Sequence, residues 1–203
     1  MPRVSPEYTE ARKDQILDAA MGCFVQKGFN GASMKDIIAA SELSAGAIYN
    51  YFGSKDDIID AIARKRHARE QAMLGEALEP APPRALADLA RAFFSTFASE
   101  AARSERRLGI EVWAEALRNP RVLKTVRRGI DEPVRVLAEV VVECQARGEL
   151  PKTLLPEGIA RLMVAVFQGF VLQQAWEPDL DTEVYMGAVD AVLSALGQLP
   201  EEG

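Results

Sequence analysis

Ser44, Ala45, Gly46, Tyr49, Asn50, Tyr51 and Lys55 fall within twelve residues, and their types suit a surface that must hold a polyanion and read its edge. Tyrosine hydroxyls donate to phosphate oxygens, and asparagine can make a paired hydrogen bond to an adenine edge. Lys55 stands at the start of an expected helix, where its ammonium and the free backbone N–H groups of the first turn can share one phosphate. The small patch Ala45-Gly46-Ala47 lets a backbone come close to a duplex, which bulky side chains would prevent. Arg3 sits on an N-terminal arm within reach of a DNA backbone or minor groove. The plainer alternative is that Tyr49, Tyr51 and Phe52 pack a structural helix pair; Phe52 is expected in the core on either reading.

The elements that must position these residues are helices. Apolar residues recur at helical spacing through almost the whole chain, with no alternating strand pattern, internal repeat or low-complexity tract, so the fold class is all-α. A first helix over about Thr9 to Lys27 is expected to end on Gly28 in a left-handed conformation. Ser33 then caps a short second helix, with Asp36 as its capping-box partner. Ser44 caps a third helix running to about Asn50, after a three-residue break at Ser41-Glu42-Leu43. Two short helices joined this way have the geometry of a helix-turn-helix, whose second helix enters the major groove.

Ser54 with Asp57 opens a long fourth helix that ends at the proline-rich stretch Glu79-Pro80-Ala81-Pro82-Pro83. The expected division is therefore a DNA-binding domain over 1–54, a connecting helix over 55–80 and a helical domain over 81–203. In the last of these, Asn119-Pro120 opens a helix that Pro133 is expected to kink or divide. Gly148 and Pro151 close it, and two further helices run over about Pro156 to Trp176 and Thr182 to Leu199.

Charge is distributed in a way that localises any DNA contact. The formal net charge is −6, yet residues 1–66 hold nine Lys/Arg and nine Asp/Glu, so the deficit lies in the remainder. A nonspecific polyanion binder is excluded, and a DNA-facing surface belongs in the first third. Two cysteines, Cys23 and Cys144, with no CxxC or Cys/His cluster, suggest neither a disulfide framework nor a metal site. No nucleophile motif, metal-ligand spacing or phosphate loop is present and there is one histidine, so an enzyme is not expected, nor is a cofactor. His67 reads as a surface residue, and Arg64-Lys65-Arg66 as a solvated face rather than a phosphate clamp. The longest apolar stretch, Ile159 to Trp176, is interrupted by Arg161, Gln168, Gln173 and Gln174, so a cytoplasmic protein without a membrane partner is expected.

The last two helices carry more apolar surface than one lid on a core requires. Leu162, Met163, Val166, Phe167, Gly169 and Phe170 on the first, with Val189, Val192, Leu193 and Leu196 on the second, are the expected interface of a homodimer. Two-fold symmetry would then present two recognition helices to a palindromic site in double-stranded DNA.

Ser33, Asp36-Ile37, Ala39, Leu43-Ser44, Gly46, Ile48-Tyr49, Tyr51-Phe52 and Ser54-Lys55 together resemble the DNA-binding signature of the TetR family of bacterial repressors. The resemblance implies phosphate contacts for Ser33, Tyr49 and Lys55 and base-edge contacts for Ala45, Gly46 and Asn50. Two residues depart from the pattern: Glu42 stands where the family often has glycine, and Gly53 where it often has proline. A left-handed residue at Glu42 would cost about 1–2 kcal/mol.

For the rest of the chain the resemblance implies dimerisation, a small-molecule effector and a repressor released from its operator by it. Phe93, Phe94, Phe97, Trp113, Leu117 and Val141 are candidate pocket walls, with Arg107, Glu111, Glu115 and Gln145 as polar anchors for a mostly apolar effector. A helical adaptor that binds only protein is the alternative. It accounts for the apolar C-terminal helices but leaves the Ser44–Lys55 segment unexplained.

Overall fold

The computed structural model describes residues 5–77, 86–98 and 103–199, and every regular element among them is helical. In chain order these are α1 (Pro6–Gly31), α2 (Met34–Ser41), α3 (Ala45–Tyr49), α4 (Lys55–Ala77), α5 (Leu86–Ala98), α6 (Arg103–Ala116), α7 (Pro120–Ala146), α8 (Pro156–Trp176) and α9 (Thr182–Leu196). The Glu79 to Pro83 linker lies outside the described residues.

The chain forms two compact units. The first comprises residues 1–67 and 107–126, and the second residues 68–106 and 127–203. The core of the first unit joins Ile16, Ala20 and Phe24 of α1, Ile37 of α2, Ile48 of α3 and Ile58, Ile59 and Ile62 of α4. Leu108, Val112 and Ala116 of α6 and Val122 of α7 belong to that same core. The first unit, or head, which holds the helix-turn-helix, is thus completed by a helical hairpin from a distant part of the sequence. Fully burying a Val or Leu side chain contributes about 1.5–3 kcal/mol, so Leu108, Val112 and Val122 are a substantial share of what holds the first unit together.

Local chemistry explains the element ends. Ser5 caps α1, and Gly28 interrupts it with φ 68°, ψ 168°, a conformation open to glycine. The helix resumes for one turn before Ala32, so it is longer than the periodicity predicts. Phe29, just past the break, folds back onto Phe24 in an edge-to-face contact with centroids 4.7 Å apart. The Asn119 side chain accepts from the backbone N–H groups of Arg121 and Val122, and Pro120 takes the first-turn position of α7.

Pro133 does not divide α7, which is unbroken over its 27 residues. The proline gives up one bond of the ladder, and buried residues before it, Val122 and Thr125, and after it, Val134, Leu137 and Val141, anchor the helix on either side. In the second unit Phe94 of α5 stacks against Phe167 and Phe170 of α8, and Phe170 meets Tyr185 of α9.

Candidate nucleic-acid interface

The capping box that opens α2 is closed in both directions. Ser33 Oγ accepts from the Asp36 backbone N–H, while Asp36 Oδ2 accepts from Ser33 N–H at 2.8 Å and from Ser33 Oγ at 2.6 Å. Lys27 donates to the other carboxylate oxygen at 2.6 Å. That bond, followed by those from Ser33, holds the Asp36 carboxyl far below the ordinary carboxylate range. Both donors of Ser33 point to Asp36 in this arrangement, which starts α2, and the phosphate contact implied by the resemblance would require its hydroxyl to turn away from Asp36.

The turn between α2 and α3 takes the left-handed form despite its residue. Glu42 has φ 58°, ψ 18°, and is the one non-glycine residue with positive φ among the described residues. Ser41, buried beneath the turn, receives a hydrogen bond on its carbonyl from Gln15 Nε2 of α1 at 2.8 Å. Its hydroxyl accepts from the Leu43 N–H. The turn is thus pinned from below, and the strain at Glu42 is retained because its neighbours fix the chain.

Ser44 then caps α3 by accepting from the Ala47 N–H at 3.2 Å. Ile48 drives α3 into the core with no exposed surface, which turns Ser44, Ala45, Gly46, Tyr49 and Asn50 outward, all of them exposed. Tyr49 is 51 % exposed, a large aromatic side chain held in solvent with its hydroxyl free to donate. A Cβ built on Gly46 would meet nothing within 4 Å. The fold itself does not require glycine there. Tyr51 is half-buried against the core and Phe52 is core, so of the aromatic run only Tyr49 is fully presented.

Lys55 is not the free ammonium that its position suggests. Its Nζ donates to the Phe29 carbonyl at 2.6 Å and the Ala32 carbonyl at 3.0 Å, tying the start of α4 to the end of α1. Two of its three protons are spent there, leaving one for a phosphate. Lys35, exposed on the first turn of α2, is a further cation that sequence pattern alone does not single out.

The base of α4 is fastened a second time, by α7. Arg121 pairs with Asp57 at 2.8 Å, and buried Asp60 accepts from Thr125 Oγ1 at 2.9 Å while also pairing with Arg64. The Ser54 hydroxyl and the Arg121 guanidinium hold the Asp57 carboxyl below its usual range. Lys65 pairs with Asp14, and the Arg66 guanidinium lies over the Trp113 ring, 5.4 Å from its centroid, against Gly109. Arg64 and Lys65 are exposed, as expected of a solvated face, and only Arg66 is half-buried, braced over Trp113. His67 is half-buried with Nδ1 shielded from solvent, not a surface residue.

The other sequence-predicted residues are dispersed. Arg3 lies outside the described residues, as do the side chains of Phe93 and Phe97. Arg107, Glu111, Trp113, Glu115 and Leu117 belong to the first unit, and Phe94, Val141 and Gln145 to the second. Leu117 is 87 % exposed, and the Gln145 amide donates to the carbonyls of Pro151 and Leu154, closing the loop after α7. Arg106 of α6, one position before the expected anchor, is buried.

On α8, Met163 and Phe170 are buried in the chain's own core, because their helical phase matches Ile159 and Gln174. Leu162 on α8 and Val192 on α9 are exposed, and Val166, Phe167, Gly169, Val189, Leu193 and Leu196 are half-buried. Helix α8 is long and apolar enough to pass as a membrane span by composition, with only a third of its most apolar window buried.

Comparison with known proteins agrees with this geometry. Residues 16–62 match the family described as bacterial regulatory proteins of the tetR family, and residues 82–198 match the C-terminal part of BetI-type transcriptional repressors. The transcriptional regulator UidR of Escherichia coli is 29 % identical over 177 residues, covering 86 % of this chain and 88 % of that protein. Among solved structures, GusR of Salmonella enterica is similar with a TM-score of 0.79 and 26 % identity, over 97 % of this chain and 99 % of that one. A transcriptional regulator from Pseudomonas aeruginosa shares the fold with a TM-score of 0.82 at 22 % identity, over 97 % and 93 % of the two chains. With a helix-turn-helix that presents Gly46, Tyr49 and Asn50 from a buried frame, and family matches that span most of the sequence, this chain belongs to the TetR family of DNA-binding transcriptional regulators.

Proposed function

We propose that the protein is a cytoplasmic homodimeric repressor that sits on a palindromic operator and is released by a small, largely apolar effector. The observation that carries this reading is the continuity of α4. It begins at Lys55, bonded to the end of α1, and runs unbroken to Ala77, so its first turns lie in the head and its last in the second unit. An effector bound in the second unit acts on the head by favouring one position of that helix. Only an effector with higher affinity for the DNA-incompetent state does so, and a coupling of about 1–3 kcal/mol would change operator affinity roughly 5–150-fold.

The half-exposed apolar face of α8 and α9 supports dimerisation, since Leu162, Val184 and Val192 are exposed on helices whose opposite faces are buried. The dimer brings two copies of α3 to half-sites about one helical turn apart or further. In this reading Tyr49 positions the head on phosphate and Asn50 reads a base. The test is release: a compound that raises the melting temperature of the free protein should lower its affinity for a duplex selected from a random-sequence library. A tightly bound compound of this kind that leaves duplex affinity unchanged overturns effector control. A stable monomer in sedimentation at micromolar concentration overturns the dimer.

A further inference from the structure

Tyr8, Arg12 and Gln15 recur at i, i+4 and i+7 on α1 and so share one stripe of that helix. A chain of hydrogen bonds runs along the stripe. Arg12 Nε donates to the Tyr8 hydroxyl at 3.1 Å, and its Nη1 to Gln15 Oε1 at 2.7 Å. The guanidinium also lies over the Tyr8 ring, 5.0 Å from its centroid. Gln15 Nε2 then reaches off the helix and donates to the Ser41 carbonyl at 2.8 Å, 26 positions along the chain, at the end of α2. The two ends of this chain dictate how the amide sits. A guanidinium only donates and a carbonyl only accepts, so Gln15 must turn its oxygen to Arg12 and its nitrogen to Ser41. Arg12 thereby favours the one amide orientation that can hold the turn.

What that bond holds bears on recognition. Helix α3 has five residues, of which Ile48 alone is buried, and a single anchor cannot fix the direction of a helix. Its direction is set by what grips its two ends. Beyond its C-terminus Phe52 enters the core, with its N–H bonded to the Ile48 carbonyl. Ahead of its N-terminus stands the turn Ser41-Glu42-Leu43, in which Glu42 is left-handed and the Ser41 hydroxyl bridges the Ile38 carbonyl and the Leu43 N–H. Those bonds are local and would travel with the turn. The bond from Gln15 is different, because it ties the turn to α1, which Ile16, Ala20 and Phe24 seat in the core of the same unit.

We propose that Gln15, oriented by Arg12, is a positioning residue for DNA reading: it fixes the direction of α3, and with it the discrimination between base edges, without touching DNA. Hydrogen bonds to base edges weaken steeply with misalignment, whereas the attraction of a protein to the phosphate backbone is electrostatic and independent of sequence. Loss of the pin therefore lowers affinity for the preferred sequence and spares affinity for an arbitrary one. The inference rests on α3 being the helix that reads DNA, and it names the residues that aim it.

The experiment measures affinity, by anisotropy at fixed salt, for a duplex selected by the wild-type chain from a random library and for a scrambled duplex of the same composition. The ratio of the two is the discrimination. Gln15→Leu should lose roughly two- to tenfold in that ratio, the worth of one hydrogen bond, while its affinity for the scrambled duplex stays at the wild-type value. Gln15→Glu keeps the acceptor for Arg12 but offers Ser41 no proton at neutral pH. It should show the same loss, and it carries the test if Gln15→Leu fails to fold by circular dichroism. Arg12→Leu should lower discrimination in the wild-type background and add nothing in Gln15→Leu, because it acts through the amide; Arg12→Lys, which can still donate to Oε1, should restore most of it. A folded Gln15 variant with wild-type discrimination overturns the proposal, as do equal losses on both duplexes or additive effects of Arg12 and Gln15. Unfolding of both Gln15 variants also overturns it, by assigning the bond to the fold. A wild-type chain that prefers no sequence overturns the reading of α3 itself.

Discussion

Replacing Glu42 by glycine should stabilise the protein, and the size of the gain can be worked from the turn itself. Glu42 holds φ 58°, ψ 18° between α2 and α3, a left-handed conformation that costs an L-residue with a Cβ about 1–2 kcal/mol. Glycine removes that strain but gives back about 0.5–1 kcal/mol in unfolded-chain entropy. The expected net gain is about 0.5–1 kcal/mol, read as a higher denaturant midpoint at constant m-value. Trp113 is the natural probe because it lies in the same compact unit, and Trp176, 70 % exposed on α8, can be replaced by Phe to leave one reporter.

Glu42→Ala separates backbone from charge. It removes the carboxylate but keeps the Cβ, so it should leave stability within about 0.5 kcal/mol of the wild type. Both substitutions delete a negative charge beside the proposed DNA face and should raise duplex affinity by similar factors. If Glu42→Ala stabilises as much as Glu42→Gly, the effect is electrostatic and backbone strain is not its cause. Destabilisation by glycine would mean that the turn is not left-handed.

Other substitutions test the frame. Thr125→Val leaves the buried Asp60 carboxylate short of a hydrogen bond and should cost about 1–3 kcal/mol in chemical denaturation, with Thr125→Ser restoring most of it. Ser44→Ala removes the cap of α3 and should cost about 0.5–2 kcal/mol, measured in the same way. Asp57 has a depressed folded-state pKa, so its stabilisation is complete above its unfolded value and is lost as pH falls through the folded one. An acid titration should therefore show a shallower loss of stability in Arg121→Gln. Lys55→Ala should lower the melting temperature as well as duplex affinity, because Nζ serves two carbonyls of the fold, whereas Tyr49→Phe should lower affinity alone.

What could be read from the sequence follows the range of the interactions involved. The Ser33–Asp36 box, the Ser44 cap and the Asn119-Pro120 start of α7 each depend on residues three or fewer positions apart, and each is legible as a local pattern. The exposed trio Gly46, Tyr49 and Asn50 follows once Ile48 is assigned to the core. Lys55 illustrates the limit, since its acceptors lie 26 and 23 residues away at a helix end whose position no local pattern encodes. Periodicity likewise marks α6 as amphipathic without saying which core it completes, so Leu108 and Val112 are legible as buried but not as part of the head. Pro133 misleads for the same reason. A proline rule counts the missing hydrogen bond, while the packing that carries α7 through it is tertiary.

DNA recognition as described here depends on α3 approaching the duplex through the patch at Gly46, and Gly46→Leu puts that approach to the test. No atom lies within 4 Å of the added Cβ, and leucine is favoured over glycine in a helix by roughly 0.5–1 kcal/mol, so the variant should fold at least as stably as the wild type. Its side chain should nevertheless hold the backbone away from base edges. In anisotropy titrations against the selected duplex, the expected result is unchanged or higher thermal stability together with at least a tenfold loss of affinity. A folded Gly46→Leu protein that binds the duplex as tightly as the wild type would contradict it.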